Sequence, residues 1–214
     1  MIVWNELSGG VCSTAMAIVT GKKVPNVMVN TGGNYPWALK RTHKLIKDRY
    51  KVIVLSSFTE GYATYFDYIR KNELMPFYVS CCAKAKDRHM NKFFNNLGHS
   101  RVNVNVGFIE GEEDRAERLV ENHQTKRIRF HFPMLSYNRI QCEKLLRGAG
   151  FKPNAPQNPV GQQFFKSGCF FCPKQPNPPE WVKSKMVQLI NRPLSNEGYE
   201  GEIEVVQKRN QTEV

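Results

Sequence analysis

A chain of 214 residues has room for one compact domain and a small appendage, and 41% hydrophobic with 11% aromatic content supplies a packed core rather than a disordered chain. No run approaches the roughly 20 apolar residues of a membrane span, and Asn5, Glu6 and the following glycines interrupt any secretory pattern, so the expected location is cytoplasmic. A formal net charge of +12 points to polyanionic partners, nucleic acid first among them, or else to solvated basic helix faces.

In chain order, Ile2-Val3-Trp4 reads as a short buried strand. A turn of small residues, Ser8-Gly9-Gly10-Val11-Cys12-Ser13-Thr14, follows and leads into a helix over 13–19. A second strand covers 26–29 and ends at Asn30-Thr31-Gly32-Gly33. After Pro36 comes a helix with Leu39, Leu45 and Ile46 apolar and Lys40, Arg41, Lys44 and Lys47 between them. Residues 52–55 form a third strand. Residues 84–95 read as a helix, 102–109 alternate like a strand, 112–121 form a charged helix, and 137–147 form another helix stopped by Gly148 and Gly150. Strands alternating with helices at this spacing predict an α/β fold: a parallel, twisted, five-stranded sheet with helices on both faces, occupying residues 1–150.

Composition changes from residue 152 to 179, where seven prolines surround a Cys-x-x-Cys. Residues 151–214 are therefore expected to form a small loop-rich module, closed by a helix over 180–190 and a strand-like stretch over 202–206. Such a module needs something other than a hydrophobic core to order it. No internal repeat or low-complexity tract is present. The sequence specifies no oligomeric state, and a dimer is compatible with it.

The turn at 8–14 carries the first chemical signal. Small residues between a strand and a helix let backbone N–H groups converge on an anion, and the helix N-terminus adds partial positive charge. Gly9 and Gly10 allow close approach, and Ser8, Ser13 and Thr14 offer hydroxyls. The pattern is neither a Walker loop nor a dinucleotide turn. The alternative is an ordinary Ser/Gly turn capping a helix.

The six cysteines carry the second. In a reducing compartment they suggest metal or redox chemistry before disulfides. Cys169-x-x-Cys172 places two thiolates on one tight turn, and the tandem Cys81-Cys82 has to meet it through the fold. Thiolate-only ligands are soft, which favours an iron–sulfur cluster or zinc over hard cations. Phe164, Phe165, Phe170 and Phe171 form an apolar collar suited to either. Cys142 is either a further ligand or a buried helix cysteine packed with Leu145 and Leu146. Cys12 is expected as a small filler in the turn rather than a nucleophile. None of the five histidines sits at ligand spacing to a cysteine.

Five motifs in order carry a family resemblance. Ser8-Gly9-Gly10-x-x-Ser13 resembles the pyrophosphate loop of the adenine nucleotide alpha-hydrolase superfamily, in its branch of phosphoadenylyl-sulfate and adenylyl-sulfate reductases. Asn30-Thr31-Gly32-Gly33-Asn34-Tyr35-Pro36 resembles that branch's Asp-Thr-Gly-x-x-x-Pro. Cys81-Cys82-Ala83-Lys84-Ala85-Lys86 resembles its Cys-Cys/Thr-x-x-x-Lys, and Gly107-Phe108-Ile109 with Glu112 and Arg115 resembles its Gly-Ile…Glu-x-x-Arg. Ser167-Gly168-Cys169-Phe170-Phe171-Cys172-Pro173 resembles its Gly-Cys-x-x-Cys-Pro. Together these span residues 2–175.

The resemblance implies ATP or a related adenine nucleotide as ligand. Ser8, Gly9, Gly10, Ser13 and Thr14 would hold phosphate or sulfate oxygens, Thr31 and Gly32 would line the base or ribose pocket, and Lys86 and Arg115 would be basic groups near the nucleotide. Surface salt bridges are the alternative for the last two. It also implies a [4Fe–4S] cluster, with zinc as the alternative, on Cys81, Cys169, Cys172 and either Cys82 or Cys142. Phage-type and DNA-sulfur-modification relatives within the superfamily keep Cys142 in the set.

Three activities follow. The first is an enzyme of the ATP pyrophosphatase and sulfurtransferase type, which adenylates an acceptor such as DNA or tRNA for sulfur transfer. The second is a sulfonucleotide reductase, but that chemistry needs a thiolate in a C-terminal Glu-Cys-Gly-x-His context and nothing after Cys172 is a cysteine. The third is a nucleotide or nucleic-acid binding module with reduced catalysis, because Cys12 and Asn30 stand where the family has acids that would help hold Mg²⁺. Glu6, Glu112 and Asp114 are the candidate substitutes. No catalytic residue is assigned.

Overall fold

The computed structural model describes residues 2–31, 34, 36–56, 86 and 88–152. These build five strands and five helices: β1 (Ile2–Leu7), α1 (Val11–Thr20), β2 (Asn26–Asn30), α2 (Pro36–Lys47), β3 (Val52–Ser56), α3 (Arg88–Asn96), β4 (Val102–Val106), α4 (Glu113–His123), β5 (Ile128–His131) and α5 (Arg139–Gly148). The strands form one parallel sheet in the order β3-β2-β1-β4-β5. The expected α/β sheet with helices on both faces is the observed fold.

Alternation along each strand sends side chains to two cores. Leu7 and Met28 join Val11, Met16, Leu45, Cys142, Leu146 and Phe151 on the face covered by α1, α2 and α5. Trp4, Val27, Val29 and Val104 join Met90 and Phe94 of α3 on the opposite face, with Leu119 of α4 packed against them. Phe151, just past α5, is buried in the first core. The Cys-x-x-Cys module, with the helix expected over 180–190 and the strand over 202–206, lies outside the described residues.

Several boundaries differ from the sequence expectation. β1 runs on to Leu7, α1 begins two residues earlier, and β4 ends at Val106 rather than at 109. The edge strand β5 falls on a stretch that reads as a basic band, Lys126, Arg127 and Arg129. Its apolar Ile128 is buried while Arg129 and His131 are exposed.

A buried amide ladder crosses the three central strands. Asn5 donates to Thr20 Oγ1 at 2.7 Å and Asn26 Oδ1 at 3.0 Å, and its own Oδ1 accepts from Asn105 Nδ2 at 3.0 Å. A fully buried Asn is tolerated because its amide is paired on both sides. The ladder ties β1 to β2 and β4, the strands flanking the candidate site.

Candidate phosphate site at the reversal of strand order

The sheet grows outward in both directions from β1 and β4, so the order reverses between them. In open parallel sheets this is where a crevice opens at the carboxyl ends of the strands. The β1–α1 turn lies at that point. Its N-cap is Gly10, with extended φ −72° and ψ 171° and no side-chain cap, so no capping side chain covers the N–H groups of the first helical turn.

Two close approaches fix the turn. Gly9 sits at φ +70°, and a Cβ there would lie 2.5 Å from the backbone oxygen of Ala38 in α2. Gly107, just past β4, packs so closely on α1 that a Cβ would lie 2.9 Å from Ser13 Cα. Only glycine lets the β4 loop and α2 close around the turn in this way.

The hydroxyls divide by role. Ser8 and Ser13 Oγ atoms share a hydrogen bond at 2.9 Å, and the Ser8 N–H donates to Ser13 Oγ at 3.2 Å. Thr14 is fully buried and donates to the Gly10 carbonyl at 2.7 Å, so this hydroxyl shapes the turn from beneath. Ser13 also donates to Gly10 O, at 3.3 Å. Thr31, at the end of β2, gives both its N–H and its hydroxyl to Asn34 Oδ1, at 2.7 and 2.9 Å, and stands at the same sheet edge one strand away. Gly32 lies outside the described residues.

The two basic residues suggested by the motifs are both ion-paired. Lys86 Nζ lies 2.5 Å from Glu6 Oε1 on β1. Arg115 pairs with Glu112 and sits 4.6 Å over the Phe108 ring, which in turn stacks on Phe132 at 5.7 Å and 14°. Glu112 also accepts the Ile109 N–H at 3.1 Å, bracing the β4–α4 turn. Both expected residues therefore occupy the carboxyl edge, each neutralised by a carboxylate.

Two guanidinium groups that motif reading did not single out approach the turn. Arg41, only 6% exposed, donates through Nη1 to Gly9 O at 3.1 Å and through Nε to Lys152 O at 3.2 Å. Burial, and after it the charge of Arg139, pulls its pKa down from the ordinary arginine value. Arg139, the first residue of α5, places Nη1 3.9 Å from Cys12 Sγ. The only sequence sign of Arg41 was its place in a basic band; Arg139 had none.

Two cysteines, Cys12 and Cys142, fall inside the described residues. Cys142 is fully buried on α5, in the core against which Cys12 in the first turn of α1 packs. The neighbouring Cys142 thiol is the main cause holding the Cys12 thiol down at about 7, assisted by the Arg139 charge and opposed by burial and by Glu112. The Cys142 thiol is pushed up, by its neighbour Cys12 first and by burial next. Cys12, read from sequence as a small filler, therefore carries a thiol of lowered pKa in the turn. Its reaction with iodoacetamide is expected to follow the thiolate fraction, rising with pH to half its plateau near pH 7. In Arg139→Gln that midpoint moves upward; peptide-resolved alkylation rates between pH 5.5 and 9.5 check both, and an unmoved midpoint would deny Arg139 its role.

Cys81, Cys82, Cys169 and Cys172 lie outside the described residues. Among the described residues no three His, Cys, Asp or Glu side chains gather as a metal site, and no helix is long and apolar enough to cross a membrane. No protein-family model matches the chain, and no curated protein matches it either.

Proposed function

We propose that this chain binds ATP or a related adenine nucleotide at the turn formed by Ser8, Gly9, Gly10 and Ser13 and uses it to adenylate an acceptor for sulfur transfer. The observation that carries this reading is the position of an uncapped, glycine-lined helix start where strand order reverses, with Gly107 closing on it from β4. Backbone N–H groups and the α1 dipole would receive the α- and β-phosphates. Arg41 holds the Gly9 carbonyl back, which keeps the peptide planes of the turn oriented for donation.

The acceptor we favour is nucleic acid, DNA or tRNA, on the strength of a net charge of +12. The resemblance to the sulfonucleotide reductase branch of the pyrophosphate-loop superfamily supports the nucleotide assignment. We place the protein in the cytoplasm, where thiols remain reduced.

A [4Fe–4S] cluster belongs to the same proposal, with Cys81, Cys82, Cys169 and Cys172 as its ligands. Soft thiolates alone suit such a cluster. We leave Cys142 out of that set, a choice supported by its burial in the core shared by α1, α2 and α5. Bound there, the cluster would order the proline-rich segment and serve as a redox or sulfur-handling group.

Magnesium fits the turn less well. Cys12 and Asn30 replace acids, and the carboxylates at this edge, Glu6 and Glu112, are each ion-paired. Mg²⁺ would then arrive on the nucleotide's own phosphates. This also favours a second reading, a nucleotide-binding module with reduced catalysis.

Anaerobically purified protein, assayed for iron, sulfide and pyrophosphate release from ATP with and without DNA or tRNA, tests the proposal. The expected result is close to four irons per chain and pyrophosphate release stimulated by one acceptor. Nucleotide binding with no pyrophosphate from any acceptor would select the module. Sulfite release from a sulfonucleotide would instead select the reductase.

A further inference from the structure

Cys12 and Cys142 form a second thiol site, separate from the four cysteines assigned to the cluster. Arg139 and Cys142 are three residues apart on α5, so one helical face presents both to the first turn of α1. That face is fixed at its origin, because Asn138 and Gln141 form a reciprocal capping box on α5. Cys12 is partly exposed at the turn, whereas Cys142 is fully buried beneath it. Both belong to one core, and the difference in burial gives the pair the asymmetry of an attacking and a resolving thiol.

We propose that Cys12 and Cys142 are a redox modification site, closing into a reversible disulfide that pins the phosphate turn to α5 when a low-molecular-weight disulfide is the oxidant. The Cys12 thiolate attacks one sulfur of the oxidant, forming a mixed disulfide and releasing the first thiolate. Cys142 then attacks the Cys12 sulfur as its proton passes to solvent. The second oxidant thiolate leaves, and the Cys12–Cys142 bond forms. The oxidant gains two electrons and the two cysteines lose them.

Arg139, 3.9 Å from Cys12 Sγ, stabilises the thiolate before attack. Once Cys12 is in the mixed disulfide it carries no negative charge, so one of the causes that raise the Cys142 thiol is removed at the moment Cys142 must react. The bond would join the first turn of α1 to the second turn of α5. Movement of the Cys12 backbone toward α5 would draw its N–H group away from the phosphate position, and this last consequence rests on the nucleotide reading.

The test treats the full-length, anaerobically purified protein with 4,4′-dithiodipyridine and maps disulfides by non-reducing tryptic mass spectrometry. The expected main product links the peptide spanning residues 1–22 to that spanning 140–144, and dithiothreitol reverses it. In Cys142→Ser, Cys12 is expected to stop as the thiopyridine adduct; in Cys12→Ser, Cys142 stays unmodified while the protein is folded. The wild-type map decides the matter even where a variant fails to fold. Two separate adducts, an unreactive Cys12, or Cys12 joined to any other cysteine would overturn the site. Saturating ATP should slow Cys12 exchange at least tenfold; no slowing with the crosslink intact would count against the nucleotide reading and leave the thiol site standing.

Discussion

Replacing Gly9 with Ala is expected to abolish nucleotide binding and to lower stability by about 3 kcal/mol. Two costs add. An L-residue at φ +70° bears roughly 1–2 kcal/mol of left-handed strain. The new methyl would also sit 2.5 Å from the Ala38 carbonyl oxygen, a backbone atom of α2, so the turn or the helix must move. Displaced amides lose hydrogen bonds to a charged phosphate worth about 1.5–3 kcal/mol each, so loss of two weakens ATP binding by at least about 100-fold. Gly21→Ala is the control for an added methyl that meets no atom. Gly21 has φ +79° and open space where the added methyl would go, with nothing within 4 Å, so only the strain applies and ATP affinity should be unchanged. Equilibrium binding on both variants, with denaturant unfolding to establish that each is folded, separates a clash at the turn from backbone strain elsewhere.

The second large effect is expected at Asn5. Truncation to Ala removes the centre of the amide ladder, leaving Asn26 Oδ1 without its donor and Asn105 Nδ2 without its acceptor inside the sheet. Each orphaned buried group costs about 1–3 kcal/mol, giving about 3 kcal/mol or more once the cavity is included. For a domain of this size that lowers Tm by about 10 °C. Asn5→Asp would keep the acceptor and lose the donor, so it should also destabilise at neutral pH. A melting curve for Asn5→Ala within about 2 °C of wild type, by the same scale, would show that the ladder contributes nothing net.

Much of this fold could be read from local pattern. Ile2-Val3-Trp4, the β2 run Asn26–Asn30 and the β3 run Val52–Ser56 are short apolar stretches bounded by turns, and each is a strand of the parallel sheet. The glycine turn after β1 was legible because glycine's roles there are local: a positive φ and an uncapped helix start. β5 was not legible. With only four residues, Ile-Arg-Phe-His, it lies at the sheet edge, where exposed charged residues hide the alternation.

The candidate site was legible only in part, for a different reason. Arg41 lies 32 residues from Gly9 and Arg139 lies 127 residues from Cys12, so no spacing rule links them to the turn. Cys142 offered two readings from sequence, a ligand or a buried helix residue. Its burial against α1 carries the second and adds a partner, Cys12, that helical periodicity could not name. Lys86 and Arg115 were marked by motif, but their carboxylate partners come from β1 and from the start of α4, and only the folded arrangement pairs Lys86 with Glu6.

The central claim, that the turn at the reversal of strand order holds nucleotide phosphates, is tested most directly by titrating ATP into wild-type, Gly9→Ala and Gly21→Ala proteins, with pyrophosphate as competitor. Saturable ATP binding that pyrophosphate displaces, lost in Gly9→Ala and retained in Gly21→Ala, is the predicted result. Equal ATP affinity in a folded Gly9→Ala, or no binding to the wild-type protein, would contradict it.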